Sequence, residues 1–270
     1  MRLALIVTTY ERPDSLARVL ETVRDQHRIP DEVVVADDGS GPATREVVER
    51  FARRAPCPVV HSWQPDQGWR LARSRNLALA RTHSEYVIFV DGDMLLDPRF
   101  LADHERHARP RTWVQGCRLP LDPPATARLL AARPGEPGPA PRDTDLKHRL
   151  QAVHFPPAAR LLARVANSLT AIKGCNQAFW RADLARVNGW DESIEGWGPE
   201  DKELCARLSN AGVQRRSLML GGIAWHLHHA AAPRRDAPAG QEVLRLTRAQ
   251  GRTRCERGLD AHRETAGPTP

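Results

Sequence analysis

The chain has 270 residues, a net charge of +7 and a pI near 9.7, with 41% hydrophobic and 27% charged residues. This length can bury the core of one large domain, and the composition is that of a soluble globular protein. No apolar run approaches the roughly 18 residues of a membrane-spanning helix, and the N-terminus lacks a signal-peptide cleavage site. The cysteines are scattered and odd in number, which argues against a disulfide framework or a structural zinc site. We therefore expect a cytoplasmic protein.

The positive charge is carried almost entirely by arginine, since only Lys147, Lys173 and Lys202 are lysines. Such an excess of cations attracts phosphates, nucleic acid or an acidic membrane face. The chain contains no nucleic-acid-binding motif and only 5% aromatic residues, which argues against a nucleic acid partner. We expect most of the charge to be solvated surface, with peripheral contact to a membrane left open.

The first hundred residues alternate between predicted strands and predicted helices. Apolar runs predict strands at 3–9, 32–36, 59–63 and 86–90, and amphipathic periodicity predicts helices at 15–23, 43–54 and 71–81. This alternation predicts an α/β fold with a Rossmann-like, mostly parallel, doubly wound sheet and right-handed crossovers.

The alternation stops after residue 97. Residues 113–117 predict a short strand, and 133–145 hold too many prolines and glycines for a regular element, so they predict a loop or a mobile lid. Residues 146–170 are basic and amphipathic, which fits either a packed helix pair or a surface facing an acceptor or a membrane. Regular structure is expected again from 171 to 180.

Asp91 and Asp93 follow directly after the predicted strand at 86–90. In open α/β sheets, ligands bind just beyond the carboxyl ends of the strands. Carboxylates two residues apart suit a hard divalent cation, Mg²⁺ or Mn²⁺, that also holds a phosphate-bearing substrate. Taken alone, such a pair is more often an ordinary acidic turn, but the strand before it and the motifs described below favour the metal site.

A second group of candidate residues lies at 188–192 and 196–201, where glycines and Pro199 build a tight, aromatic-lined turn. Glu200 and Asp201 come at the start of a predicted helix, where the helix dipole favours anionic carboxylates. A carboxylate held there beside Trp197 is suited to act as a general base on a hydroxyl. A helix-capping pair beside a structural tryptophan is the alternative.

These motifs occur in a fixed order: Val7–Arg12, Val33–Ser40, Gln67–Arg70 with Arg75–Asn76, Asp91–Asp93 and Gly196–Asp201. In this order they resemble the family 2 glycosyltransferases. Residues 171–229 also resemble a C-terminal region shared with galactosyltransferases and polypeptide N-acetylgalactosaminyltransferases. The resemblance covers 3–100 and 171–229, and it implies a GT-A fold, a nucleotide-sugar donor and a Mn²⁺ or Mg²⁺ ion.

The resemblance also implies roles for individual side chains. The nucleotide-sugar pocket would be lined by Thr8, Tyr10, Glu11, Asp37, Asp38, Arg75, Asn76, Asp91 and Trp197. Within this set, Asp38 would meet the base, Arg75 and Asn76 would sit against the nucleoside, and Asp91 would approach the ribose or the metal. Trp197 would pack on the acceptor or donor sugar.

Catalysis and metal binding fall to residues of the later motifs. Asp201 would be the catalytic base, and Glu200 would bind a sugar hydroxyl. Asp93, with Asp91 as a further candidate, would ligate the metal. A histidine follows at this place in related enzymes; His226 is the first choice and His228 the second, and imidazole suits Mn²⁺ better than Mg²⁺. An exposed histidine cluster is the alternative. Pro199 stands where the related turn often has glycine, which fixes the backbone angle there.

The function implied is inverting transfer of a hexosyl or N-acetylhexosaminyl group, from a UDP-sugar in the first instance, to a saccharide or lipid-linked acceptor in bacterial surface polysaccharide or lipopolysaccharide synthesis. Residues 1–100 would form the nucleotide-sugar-binding half and 101–170 a variable acceptor-side segment. Residues 171–258 would form the catalytic and metal-binding half, followed by a disordered tail at 259–270.

Other functions remain open at this point. A haloacid-dehalogenase-like phosphatase also uses an acidic pair at a strand end, but it expects Thr or Val two residues after the second aspartate, where this chain has Leu95. A non-catalytic carbohydrate- or polyanion-binding module would need the basic and aromatic residues but not Asp201. Nucleotidyl transfer would need a glycine-rich N-terminal phosphate loop, which we do not find.

Overall fold

The computed structural model describes residues 1–133, 136–163, 165–166, 170–230 and 238–262. Its first third repeats a strand followed by a helix, in the order β1 (Leu3–Thr9), α1 (Pro13–Arg24), β2 (Glu32–Asp37), α2 (Pro42–Ala52), β3 (Val59–Trp63), α3 (Leu71–Ala80) and β4 (Tyr86–Asp91). Each of these elements was predicted from the sequence. Pro13 and Pro42 stand in the first turns of α1 and α2, where a missing backbone N–H costs nothing.

The remaining elements are shorter. They are β5 (Met94–Leu96), α4 (Phe100–His107), β6 (Thr112–Gln115), β7 (Leu119–Pro120), α5 (Pro123–Ala131), α6 (Leu146–Arg149), α7 (Pro156–Leu162), β8 (Val165–Ala166), β9 (Asn176–Trp180), α8 (Arg181–Val187), α9 (Glu200–Asn210), β10 (Gln214–Ser217), β11 (Ala224–His226) and α10 (Pro238–Gln250). Short 3₁₀ turns lie at 141–143, 150–152 and 259–262.

The large sheet has the strand order β3-β2-β1-β4-β9-β6-β10-β8. Strands β1 to β4 are parallel to one another, and β10 is parallel to β6. Strand β9 lies antiparallel between β4 and β6, and β8 is antiparallel to β10. The predicted α/β fold with a mostly parallel sheet is confirmed; the sequence predicted regular structure at 171–180, which contains β9, but not that β9 runs antiparallel. A smaller sheet has the order β5-β11-β7.

Strand β1 is buried on both faces, which explains its continuous apolar sequence. Leu5 joins the core on the side of α1, which also contains Leu16. Ile6 points the other way and joins the core on the side of α3, where Leu79 lies. Alternate side chains of one strand therefore bind helices to both faces of the sheet.

The chain end departs from the expectation of a disordered tail at 259–270. Residues 259–262 form a 3₁₀ turn in which Leu259 and His262 are 4% and 6% exposed. The turn is fixed because His262 Nε2 lies 2.6 Å from Glu192 Oε1. Residues 263–270 lie outside the described residues.

The segment between β7 and β9 also differs in detail from its prediction. The basic, amphipathic stretch at 146–170 forms the short helices α6 and α7, while 164 and 167–169 lie outside the described residues. Of the predicted loop at 133–145, residues 134–135 are likewise not described, and 141–143 form a 3₁₀ turn. Within the described ranges, no helix is both long and apolar enough to cross a membrane.

Candidate active site

The candidate site lies at the carboxyl ends of β1, β2 and β4. Thr8 is paired in register with Asp91 of β4, and Thr9 is paired with Asp37 of β2. The chain leaves β1 toward β2 on one side and adds β4 on the other, so β1 stands where the winding direction reverses. Such a switch point opens a crevice at the carboxyl edge of a sheet, which is where α/β proteins bind ligands.

Gly92 lets the two aspartates of the acidic pair approach this edge. Its N–H donates to Thr8 O at 2.7 Å, and a Cβ at this position would lie only 2.9 Å from the same oxygen. Thr8 Oγ1 donates to Asp91 Oδ1 at 2.8 Å. The backbone contact at glycine therefore holds Asp91 and Asp93 against β1, and any side chain there would push them away.

Arg75 of α3 is surrounded by carboxylates. Its side chain is 2% exposed, and Nη1 lies 2.8 Å from Asp201 Oδ1 and 3.4 Å from Glu200 Oε1. Nη2 lies 3.6 Å from Asp91 Oδ1, and the guanidinium stands 5.5 Å from the centre of the Trp190 ring. Arg75 therefore links the end of β4 to the start of α9 and offsets the negative charge gathered there.

Glu200 and Asp201 occupy the first turn of α9, as predicted. Burial, and then the neighbouring charge of Asp201, raise the pKa of Glu200, while Arg75 acts in the opposite direction. Glu200 therefore keeps its proton to a higher pH than an exposed glutamate does, and a neutral carboxyl there can donate a hydrogen bond.

Asp201 is held in one orientation by its neighbours. Oδ1 accepts from Arg75 Nη1 at 2.8 Å and from Trp190 Nε1 at 3.3 Å. A Cβ built on Gly174 would overlap the other oxygen, Oδ2, so the backbone at Gly174 lies directly against the carboxylate. The side chain is still 18% exposed. This is a fixed, partly solvent-accessible carboxylate of the kind that accepts a proton from a bound hydroxyl.

Asp93, His226 and His229 converge on the other side of Asp91. Asp93 Oδ2 lies 3.4 Å from His226 Nε2 and 3.1 Å from His229 Nε2, and one ligand atom from each residue lies within 4.8 Å of the others. Burial alone would raise the pKa of Asp93, but hydrogen bonds from His226 and His229 lower it. The hydrogen bond to Asp93 raises the pKa of His229.

These residues fit a divalent cation. Asp93 Oδ1 is buried and has no hydrogen-bond partner among the described residues, so a donor oxygen is left for a ligand. A carboxylate with imidazoles is a donor set that Mn²⁺ accepts more readily than Mg²⁺ does. Pairing of β11 with β5 places His226 opposite Met94, the residue after Asp93, which brings the ligands together.

His228 does not take part in this group, although it was the second choice from the sequence. Its side chain is exposed, and its backbone N–H donates to Thr126 Oγ1 at 2.8 Å. His229, rather than His228, is the second histidine beside Asp93. Asp91 also lies outside the group, because its carboxylate is engaged by Thr8 and faces Arg75.

Both members of the acidic pair after β2 are buried, but they have different partners. Asp37 is fully buried; Oδ1 accepts from the N–H of Ser40 at 2.8 Å, and Oδ2 lies 2.9 Å from His61 Nε2. Burial would raise the pKa of Asp37, but the bonds from His61 and Ser40 lower it. Asp37 therefore builds the turn at this strand end rather than lining a pocket.

Asp38 lies at the rim of the crevice. Its Oδ2 accepts from Arg70 N at 2.9 Å and its Oδ1 from the side-chain amide of Gln64. Burial raises the pKa of Asp38. Tyr10, which is 49% exposed, donates to Asp66 Oδ2 at 3.0 Å on the same side. Tyr10 thus offers an exposed aromatic face to a planar base, while Asp38 is 6% exposed and each of its oxygens already accepts one hydrogen bond from the protein.

Glu11 lies in the loop after β1, and Trp197 lies in the turn before α9. Glu11 has a positive φ of 49°, and its carboxylate accepts from Gly41 N at 2.6 Å. It therefore closes the loop after β1 onto the start of α2. Trp197 is 40% exposed on the turn that precedes α9. Its neighbour Gly196 donates to Trp69 O at 2.9 Å, so a second exposed tryptophan lies beside this turn.

Asn76 does not face a nucleoside. It is fully buried, and its Nδ2 donates to Trp190 O and to Glu192 Oε1, both at 2.8 Å. Its Oδ1 accepts from Trp190 N at 2.9 Å. Asn76 therefore fixes the turn that carries Trp190, and Arg75, placed beside the nucleoside by the sequence, instead lies among the carboxylates.

Several residues of the site carried no assigned role in the sequence analysis. His229 lay inside the histidine run, and Trp190 and Gly174 lay inside conspicuous motifs, so their types were visible but not their contacts. Arg118 had no motif at all. Its Nη2 lies 2.9 Å from His226 Nε2, which places a cation beside the candidate metal ligands.

Comparisons with known proteins show the family of the chain. Residues 4–117 match the family described as glycosyl transferase family 2, and residues 161–230 match the family described as the N-terminal domain of galactosyltransferase. A validoxylamine A glucosyltransferase from Streptomyces hygroscopicus subsp. limoneus is 34% identical over 227 residues, which cover 78% of this chain and 48% of that protein. The chondroitin synthase of Escherichia coli is 29% identical over 242 residues, covering 83% and 34%.

Solved structures confirm the fold. S. aureus TarS 1–349, determined in complex with UDP-GlcNAc, superposes with a TM-score of 0.64 at 19% identity, covering 98% of this chain and 70% of that one. The mannosyltransferase PcManGT from Pyrobaculum calidifontis, in complex with GDP-Man and Mn²⁺, gives a TM-score of 0.57 at 19% identity, covering 92% and 69%.

The chain spans about half the length of the validoxylamine A glucosyltransferases that it matches, 48% and 52%. The two family matches fall on the same stretches as the motifs around Asp91 and Asp201. The resemblance drawn from those motifs is thereby confirmed, and the haloacid-dehalogenase and binding-module alternatives lose their support. The chain belongs to the family 2 glycosyltransferases, with a galactosyltransferase-type segment in its C-terminal half.

Proposed function

We propose that this protein transfers a sugar, with inversion, from a nucleotide-sugar donor to a hydroxyl of a saccharide or lipid-linked acceptor. One observation carries the proposal. A fixed, partly exposed carboxylate, Asp201, lies at the start of a helix and is linked through Arg75 and Asp91 to the group formed by Asp93, His226 and His229. A base and a phosphate-binding site in one crevice are what a sugar transfer requires.

In this mechanism Asp201 takes the proton of the acceptor hydroxyl as it attacks the anomeric carbon. Arg75 and Trp190 orient the carboxylate through Oδ1, and Oδ2 receives the proton. Glu200, with its raised pKa, donates a hydrogen bond to a sugar hydroxyl. Trp197 offers an exposed aromatic face on which a pyranose ring stacks.

We assign the metal to Asp93, His226 and His229, with Mn²⁺ preferred over Mg²⁺ because of the imidazoles. When bound, such an ion neutralises the charge that develops on the departing nucleoside diphosphate. Arg118, beside His226, adds a protein cation on the same side. The donor's leaving group would therefore meet positive charge from both.

We propose a uridine nucleotide as donor, with its base at Asp38 and Tyr10, which lie together on the β2 side of the crevice. The structure of TarS with UDP-GlcNAc, which shares this fold, supports the assignment, whereas PcManGT was determined with GDP-Man. We further propose a role in bacterial surface polysaccharide synthesis, since chondroitin synthases are among the relatives.

We place the enzyme in the cytoplasm, at the inner face of a membrane. All five cysteines are unpaired, and three of them, Cys175, Cys205 and Cys255, are buried. Free buried thiols of this kind are usual in a reducing compartment. Exposed apolar side chains on α6 and α7 support contact with a membrane surface.

The test is nucleotide release from a panel of nucleotide sugars, each with Mn²⁺, Mg²⁺ or chelator, with and without saccharide acceptors. We expect metal-dependent release from one donor, with little release by Asp93→Asn. A matched control is Asp183→Asn, which changes a carboxylate of α8 away from the crevice. If wild-type protein neither releases nucleotide nor binds any donor by calorimetry, the proposal fails.

A further inference from the structure

In the segment formed by α6, the following 3₁₀ turn and α7, large apolar side chains are exposed while small ones are buried. Leu146 and Leu150 are each 77% exposed, and Leu161 is 85% exposed. Val153 and Phe155 between them are 46% and 53% exposed. In contrast, the small side chains of Ala152 and Ala159 are buried against the domain. The apolar face of the segment therefore points to solvent.

Three of the exposed residues recur at helical spacing. Leu146, Leu150 and Val153 are spaced by four and three residues, which places them on one helical face. Phe155 N donates to Leu220 O at 3.0 Å, and the adjacent Met219 is 46% exposed. We call this surface the apolar face; it consists of Leu146, Leu150, Val153, Phe155, Leu161 and Met219. So many large apolar side chains exposed in one short segment and the loop bonded to it indicate an interaction surface rather than ordinary exposure.

The charges at the start of the apolar face are mainly positive. Arg142, Lys147 and Arg149 are exposed between residues 142 and 149. The exposed acid in this stretch, Asp145, accepts from His148, whose Nδ1 lies 2.6 Å from its Oδ1. Apolar side chains flanked by cations match the interface of a bilayer that contains anionic lipids.

The face begins close to the candidate active site. Thr144 Oγ1 donates to Pro120 O at 2.6 Å, and Pro120 is paired in register with His226. A surface that binds at α6 therefore lies next to the edge of the small sheet that carries a candidate metal ligand. An acceptor anchored in that surface would be presented near the crevice.

We propose that the apolar face docks on an anionic lipid bilayer, with its leucines and Phe155 in the interfacial layer and Arg142, Lys147 and Arg149 at the lipid phosphates. The proposal names the partner surface of the proposed enzyme, but docking does not depend on sugar transfer. It can therefore be tested without donor, metal or acceptor.

The experiment is co-sedimentation of the full chain with phosphatidylcholine vesicles that contain either no anionic lipid or about a third phosphatidylglycerol. We expect binding to the anionic vesicles, weakened at about 1 M salt, where the Debye length falls to ~3 Å. The double variant Leu146→Ser, Leu150→Ser should bind about 100-fold more weakly, at about tenfold per leucine. Neutralising Arg142, Lys147 and Arg149 to Gln should weaken binding about fivefold for each cation.

The matched control neutralises Arg45, Arg50 and Arg53, exposed cations on and just after α2 beside the opposite edge of the sheet. It makes the same change in net charge and should leave vesicle binding near wild type. Thermal melting should be unchanged in all three variants, because every substituted side chain is exposed.

Three results would overturn the proposal. The first is wild-type protein that stays in the supernatant with anionic vesicles. The second is an equal loss of binding in the α2 control, which would reduce the effect to net charge. The third is a concentration-dependent dimer, seen by light scattering without vesicles and abolished by the leucine substitutions, which would assign the face to a second copy of the chain. If the leucine variant still releases nucleotide in a metal-dependent way, failure of membrane docking would leave the sugar-transfer proposal intact.

Discussion

The residues on the two sides of Asp91 form groups that balance their charge in different ways. On one side, Asp91, Glu200 and Asp201 surround the buried guanidinium of Arg75, within 3.6 Å. On the other side, Asp93 meets the imidazoles of His226 and His229, and its buried Oδ1 has no hydrogen-bond partner in the described part of the chain.

The carboxylates of the first group already have a cation, whereas the second group has a donor oxygen left for a ligand. The Arg75 group supplies its own cation, so its geometry is set before any substrate arrives, as preorganised catalysis requires. The Asp93 group instead combines a carboxylate with two imidazoles, and Asp93 Oδ1 has no hydrogen-bond partner among the described residues. One group is therefore suited to hold a base, and the other to accept a metal with its phosphates.

Replacing Asp201 by Asn tests the first group most directly. The amide keeps the size of the side chain but cannot accept the acceptor's proton, so turnover should fall roughly 10² to 10⁴-fold. Donor binding, measured by calorimetry with Mn²⁺, should change little, because the metal ligands are untouched. Asp183→Asn serves as the control. Wild-type turnover in Asp201→Asn would remove this residue as the base.

Replacing Arg75 by Met asks whether the cation holds the first group together. The carboxylates around it would lose their counter-charge while remaining largely buried, and the free energy of unfolding should drop by about 3 to 5 kcal/mol. Urea unfolding measures this change. Arg73→Met, on the same helix but bonded to the neutral Gln64 at 2.6 Å, should cost much less. Equal losses in the two variants would mean that the carboxylates do not depend on Arg75.

Replacing His229 by Ala probes the second group and sets it against His228. Loss of a ligand should weaken Mn²⁺ binding by at least about tenfold, as measured by calorimetry on the protein without substrate. His228→Ala should leave the affinity unchanged, because that side chain is exposed. The reverse order of effects would restore the sequence-based choice of His228.

The choice between these histidines shows where sequence reasoning ends. Strand alternation would place His226 and His228 on the same face, but β11 ends at His226. Beyond it the chain turns, and His228 N bonds to Thr126 of α5, 102 residues away in sequence. That contact depends on tertiary packing, so no local pattern reveals it.

The contacts of Arg75 were also not predictable from the sequence, whereas the positions of the acidic residues were. Asp91 and Asp93 were predictable because a buried strand ends there, and Asp201 because glycines and Pro199 precede a helix. These are properties of neighbouring residues. The contacts of Arg75 join α3 to α9 across 126 residues, and the sequence gave its type and helix but not its partners. Strand β9 is similar, since only the completed sheet places it between β4 and β6.

The pH dependence of unfolding tests the protonation of Glu200 in the first group. Burial and the charge of Asp201 raise the pKa of Glu200, so the folded protein keeps its proton over a pH range in which the unfolded chain has lost it. Glu200 therefore lowers stability progressively as the pH rises from the ordinary range of a glutamate to the raised folded value. Glu200→Gln is neutral throughout, so its free energy of unfolding should gain on the wild type as the pH rises, by about 1 to 3 kcal/mol. Urea unfolding from pH 5 to pH 9 measures the gain, and Glu195→Gln, on the exposed part of the same turn, should show none. Parallel curves for Glu200→Gln and wild type would mean that Arg75 offsets the burial of Glu200 completely, and the first group would then hold only ionised carboxylates.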